Sequence, residues 1–204
     1  MKYKWLNNSN NQNLIIFFNG WGMDESVISH LEFENYDVLM LYDYNNLEIN
    51  FDFSSLNIYS GKYLIAWSMG VMIATLFDNI EYIKKIAING TLKPINDKYG
   101  IPERIYNLTL KNFSPKGAEK FIKNMFCETF ELPVIKRDFE NQKSELYALT
   151  HYNAKDDFHY DKIILSTEDK IIPTKNQIAF WNIEPNIISG HAPFNKFQKW
   201  SELL

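Results

Sequence analysis

With one cysteine in 204 residues, Cys127, the chain has no intramolecular disulfide and no cysteine-rich zinc site, which suits a reducing cytosol. Core or cap packing is the expectation for that thiol. Positive charge is also short: the net charge is -4, with no basic excess to neutralise phosphates, so nucleic acid is set aside as a partner. No apolar run approaches the roughly 20 residues of a membrane span, and residues 1–8 lack the apolar stretch of a signal peptide. A cytoplasmic protein with no membrane association is expected. Internal repeats and low-complexity linkers are missing as well, and a chain that is 46% hydrophobic and 16% aromatic is long enough for one substantial core. One domain over residues 1–204 follows.

Apolar runs at residues 3–6, 14–18, 38–41, 63–67, 83–89 and 162–166 read as strands, several apolar on both faces as in a covered parallel sheet. Asn186 to Ile188 reads as a last short strand. Helices are expected from Asp24 to Leu31, with the aspartate as cap, from Val71 to Phe77, from Thr174 or Asn176 to Trp181, and at the C-terminus to Leu204. Residues 47–60 have no clear type. Between about 93 and 161 the strand runs stop and helical segments appear at 101–110, 115–127 and 131–150, an inserted helical cap. Its core, residues 98–160, carries about +1, against about -5 for the rest of the chain. This is an α/β pattern: a mostly parallel central sheet with helices on both faces and a cap, as in an α/β hydrolase.

Tyr63 to Ala74 is a buried strand that runs into Ser68 and leaves as a helix. A serine on such a turn is strained, and the residues two before and two after must be small for strand and helix to pass; Ala66 and Gly70 meet that need. Asp169 and His191 follow in the chain order nucleophile, acid, histidine, each just past an expected strand, so all three gather at one sheet edge. Ser68 Oγ needs a neutral imidazole to take its proton, and His191 sits between Gly190 and Pro193 in a loop suited to that task. Asp169 would fix its tautomer, with Asp97 as the reserve acid and a loop-capping carboxylate as the plainer role for Asp169. The backbone N–H groups of Met69 and of Trp21, in the loop Asn19-Gly20-Trp21-Gly22, are placed to hold an oxyanion. The Trp21 ring would line an acyl pocket or pack in the core.

Together Asn19-Gly20-Trp21-Gly22, Ala66-Trp67-Ser68-Met69-Gly70, Ile88-Asn89-Gly90-Thr91 with Gly100-Ile101-Pro102, and Gly190-His191-Ala192-Pro193-Phe194 resemble the BioG type of pimeloyl-[acyl-carrier protein] methyl ester esterase, over nearly the whole chain. The resemblance implies hydrolysis of the methyl ester of pimeloyl-acyl carrier protein in biotin synthesis, with no metal or organic cofactor. It also gives Lys116, Lys120 and Lys123, with Arg104 or Lys111, a task against the acidic carrier protein, although such a stripe also suits a merely solvated face. A general short-chain carboxylesterase, an acyl thioesterase and a non-catalytic hydrolase-like binding protein are the competing functions.

Overall fold

The computed structural model describes residues 1–126 and 132–204. Cys127 and residue 131, where one helix was expected to end and the next to begin, lie outside the described residues. Six strands form one sheet: β1 (Lys2–Asn7), β2 (Asn13–Phe18), β3 (Tyr36–Tyr42), β4 (Gly61–Trp67), β5 (Lys84–Ile88) and β6 (Lys162–Ile164). Their order across the sheet is β1-β3-β2-β4-β5-β6; β1 runs antiparallel to β3 and every other pair is parallel. Parallel strands send all their carboxyl ends to one edge, where the crevices of open α/β sheets form.

The period of two along each strand explains why the central runs are apolar throughout. Leu14, Ile16 and Phe18 join Leu39, Leu41, Leu64 and Ala66 on one face, while Ile15 and Phe17 join Val38, Met40, Ile65 and Trp67 on the other. The first face is covered by the short α1 (Gly70–Ala74) and by Tyr106, Phe113, Leu146 and Leu149 of the helical segment between β5 and β6. Val27, Ile28, Leu31, Phe194, Trp200 and Leu203 cover the second. All five residues of α1 are buried, so tertiary packing holds a helix too short to persist alone.

The helical segment contains α2 (Glu103–Asn112), α3 (Pro115–Met125) and α4 (Phe139–Ala148), and α5 (Thr174–Trp181) follows β6. Ser114 caps α3 by accepting from Gly117 N–H, and Asp138 caps α4 by accepting from Asn141 N–H. That cap fixes the start of α4 eight residues later than the sequence pattern suggests. Among the described residues no helix is long and apolar enough to cross a membrane.

Three expected elements take other forms. Residues 24–31 make one 3-10 turn, Glu25–Val27, because Asp24 Oδ1 takes both the amide and the hydroxyl of Ser26 and Ile28 leaves the helical region at φ -129°. Residues 186–188 meet the sheet through a single bridge, Ser166 to Ile187, with backbone bonds from Asn186 N–H to Leu165 C=O at 2.9 Å and from Thr167 N–H to Ile187 C=O at 3.0 Å; the Asn186 side chain adds to them, accepting from Leu165 N–H at 2.9 Å and donating to Ile163 C=O at 2.7 Å. The C-terminal stretch is two 3-10 turns, Pro193–Lys196 and Trp200–Leu203, whose period of three sends both Trp200 and Leu203 into the core. The region 47–60 contributes one more 3-10 helix, Phe53–Ile58, capped by Asp52.

Candidate active site

At the end of β4 the chain turns through Ser68 with φ at +57°, a left-handed conformation that a serine adopts under strain. Ser68 N–H still donates to Ile88 C=O at 3.0 Å, so the strained residue is tied to the neighbouring strand. α1 then passes the end of β2 in backbone contact. A Cβ at position 70 would lie 2.4 Å from the Phe18 carbonyl oxygen and 2.7 Å from that of Asn19. Ala66 is fully buried between Phe18 and Ala87 in the strand register. Gly70→Ala is therefore expected to destabilise the fold by about 3 kcal/mol or more, because the obstacle is backbone. Urea unfolding measures this, and a loss under about 1 kcal/mol would contradict the close approach.

The three sequence-nominated side chains form one hydrogen-bonded chain. His191 Nε2 lies 2.8 Å from Ser68 Oγ, and Nδ1 lies 2.7 Å from Asp169 Oδ2, with all three residues buried. Asp169 Oδ2 also accepts from Gln177 Nε2 at 2.8 Å, while Oδ1 accepts from the amides of Ile171 and Ile172 at 2.8 and 2.9 Å. Four donors around two oxygens match an acceptor-only carboxylate. Nδ1 of His191 then carries the hydrogen, and Nε2 presents its lone pair to the serine hydroxyl. Asp97, the reserve acid, is elsewhere: its Oδ1 accepts from Glu103 N–H at 2.9 Å, at the start of α2.

Several supporting residues were not singled out from sequence. Gln177, fully buried on α5, gives its two N–H groups to Asp169 and to Ile172 C=O, so the amide orientation is set by two acceptors. Asn89, at φ +42°, donates to Ser166 Oγ at 2.7 Å and to His191 C=O at 2.9 Å, and accepts from Ser166 N–H at 2.8 Å. Trp67 Nε1 donates to the same His191 carbonyl at 2.9 Å. The histidine loop is thus pinned from two strand ends. Asn89 and Trp67 stood in the sequence within the stretches that carry the family resemblance; Gln177 carried no signal beyond its place in a helix.

Neither the Trp21 nor the Met69 backbone N–H has an acceptor among the described residues. Above Ser68 opens a cavity of about 140 Å³ with largely apolar walls, including Trp21, Ile105, Phe121, Met125 and Leu146. The Trp21 ring serves as both wall and packing, edge-on to Phe113 at 5.2 Å and to Phe121 at 4.9 Å. Arg104 and Lys111 on α2 and Lys116, Lys120 and Lys123 on α3 are all exposed, and none is in an ion pair among the described residues. Ile105 and Phe121, from those same two helices, line the cavity.

Comparison with known proteins agrees with this architecture. The family described as pimeloyl-ACP methyl esterase BioG matches over residues 1–203. The crystal structure of BioG from Haemophilus influenzae superimposes with a TM-score of 0.89 at 32% identity, covering 100% of this chain and 99% of that one. A malonyl-[acyl-carrier protein] O-methyltransferase from Bacteroides fragilis is 37% identical over 179 residues, 82% of this chain; the chain spans only 36% of that relative's length. A thermophilic esterase from Thermogutta terrifontis shares the fold, with a TM-score of 0.65 at 13% identity over 94% of this chain and 86% of that one. With the family matched over all but the final residue and the H. influenzae fold superimposing along its whole length, the chain belongs to the pimeloyl-ACP methyl esterase BioG family and is a carboxylic ester hydrolase of the α/β-hydrolase fold.

Proposed function

We propose that the protein is a serine esterase that removes the methyl group from the far end of a pimeloyl chain carried by acyl carrier protein, releasing methanol and free pimeloyl-acyl carrier protein for biotin synthesis. The observation that carries the chemistry is the hydrogen-bonded run from Ser68 through His191 to Asp169, on the floor of an apolar cavity. Family membership supports this choice of substrate. The B. fragilis relative is named for methyl transfer to a carrier-linked acyl group, so a stretch similar to this chain occurs alongside the opposite half of the same methyl chemistry.

Ser68 Oγ attacks the ester carbonyl as His191 Nε2 takes its proton, and the carbonyl oxygen becomes an oxyanion facing the Trp21 and Met69 amides. His191 then gives the proton to departing methoxide, leaving an acyl group on Ser68. Water, deprotonated by the same nitrogen, attacks that acyl group and frees the carboxylate. Asp169 keeps the Nδ1 hydrogen in place throughout and stabilises the imidazolium. The thioester at the carrier end is electrophilic too, so selectivity comes from which carbonyl reaches Ser68; a narrow apolar cavity admits the methyl end and holds the bulky carrier outside.

Arg104, Lys111, Lys116, Lys120 and Lys123 on the exposed side of α2 and α3 would meet the acidic carrier protein. Reversing Lys116, Lys120 and Lys123 to glutamate together is expected to raise KM for the carrier-linked ester about tenfold at low salt, less at high salt, with turnover of a small free ester unaltered. Unchanged carrier-linked kinetics would remove these lysines from the docking surface. The function itself is tested by growth. A bacterium that lacks its own pimeloyl-carrier methyl esterase should grow without biotin when it expresses this protein, and not when it expresses Ser68→Ala. Failure of the well-expressed wild type to restore growth would contradict the proposed substrate.

A further inference from the structure

The loop bearing Trp21 is a tight turn: Gly20 C=O accepts from Met23 N–H at 3.3 Å, and Gly22 sits at φ +71°. Its two central residues are held by a helix more than a hundred residues away. Trp21 Nε1 donates to Gln142 C=O at 2.8 Å, Gln142 Nε2 donates to Gly22 C=O at 2.9 Å, and Gly22 N–H donates to Glu145 Oε2 at 3.1 Å. Gln142 and Glu145 stand three residues apart on one face of α4.

Glu145 is fully buried, and its second oxygen accepts from Tyr44 N–H at 2.8 Å. Arg137 closes the group, with Nη1 2.7 Å from Glu145, Nη2 3.4 Å from Asp43 and its guanidinium over the Tyr42 ring. Burial pushes the Glu145 carboxyl up, against the pull of Arg137 and of the two amides. Buried ion pairs of this kind are seldom more stabilising than apolar side chains of the same size. Stability alone therefore gives no reason for a carboxylate here, whereas orientation of the turn does: without it the Gly22 amide is buried unpaired and the Trp21 to Gly22 peptide loses the acceptor that fixes its N–H.

We propose that Glu145 and Gln142 are positioning residues for the hydrolysis, locking the turn at residues 20–23 so that the Trp21 N–H points at the developing oxyanion. This rests on Ser68 as nucleophile and the Trp21 amide as oxyanion donor. α4 braces the active-site turn while Leu146, on the same helix, lines the cavity.

The test uses Glu145→Gln and Gln142→Met in the full-length enzyme with p-nitrophenyl butyrate, which is independent of the carrier substrate, and a trifluoromethyl ketone, which binds through an oxyanion on the serine. Thermal unfolding establishes that each variant is folded. The expected result is a kcat lower by about 10- to 100-fold, KM within about threefold of wild type, and ketone affinity reduced in step with kcat. Lys143→Ala, on the exposed side of the same helix, should change none of these. Where Glu145→Gln does not fold, Gln142→Met decides. A folded Gln142→Met with kcat and ketone affinity within twofold of wild type overturns the proposal, as does a loss confined to KM. Ser68→Ala separates the two levels: turnover that survives it overturns the site and this inference together, whereas turnover that it abolishes, with Gln142→Met unaffected, overturns this inference alone.

Discussion

Ser68→Ala is expected to lower kcat for ester hydrolysis by about 10⁴-fold or more, with substrate binding little altered. Removing the hydroxyl takes away the atom that faces the His191 Nε2 lone pair, at 2.8 Å, on the cavity wall. What remains is two amide donors and a general base that could act only on water, which has to be found and oriented in each turnover. The fold should survive, because alanine at φ +57° carries about the same backbone strain as serine and no packed volume is gained or lost beyond one oxygen. Hydrolysis of p-nitrophenyl butyrate beside a thermal melt measures both halves of the expectation. A folded variant that keeps more than a tenth of wild-type kcat would remove Ser68 from the chemistry.

Asp169→Asn should cost about 10³- to 10⁴-fold in kcat, and the hydrogen bonds explain why so small a change matters. Each carboxylate oxygen accepts two donors: the amides of Ile171 and Ile172 on one side, Gln177 Nε2 and His191 Nδ1 on the other. An asparagine has one acceptor oxygen, so either orientation of its amide sets an NH2 against two N–H groups. With the NH2 toward His191, the ring moves its hydrogen to Nε2 and offers Ser68 a donor where an acceptor is needed. With the NH2 toward the 171–172 amides, the loop that carries residue 169 is pushed apart. Asp97→Asn, at the start of α2, is the matched comparison and should leave kcat within about threefold. Equal losses in the two variants would return the acid to Asp97 or to neither.

How much of this could be read before the structure depends on whether a feature is local. The strand runs, the small residues around Ser68 and the order Ser68, Asp169, His191 have steric or chemical reasons that can be read from the residues; Ser68 follows the end of β4 and Asp169 comes after β6, and the 186–191 stretch, bridged to Ser166, carries His191 to the same edge. The C-terminal stretch after Phe194 was read as an α-helix because Phe197, Trp200, Leu203 and Leu204 mimic an amphipathic pattern, while the packing of Trp200 and Leu203 needs a three-residue period. Residues 186–188 were read as a strand and pair by backbone only around Leu165 to Thr167, with the Asn186 side chain taking Ile163 C=O beyond that point. Gln177, Gln142 and Glu145 were invisible for a deeper reason. Each acts on a residue brought near only by the completed fold, and a lone glutamine or glutamate on a helix otherwise looks like any solvated face.

The most direct measurement incubates the purified protein, beside Ser68→Ala, with the methyl ester of pimeloyl-acyl carrier protein and follows the intact carrier by mass spectrometry. The account predicts loss of the one methyl group with the acyl chain still attached, in the wild type alone. Release of the whole acyl chain, or a carrier mass unchanged by the wild type, would contradict it.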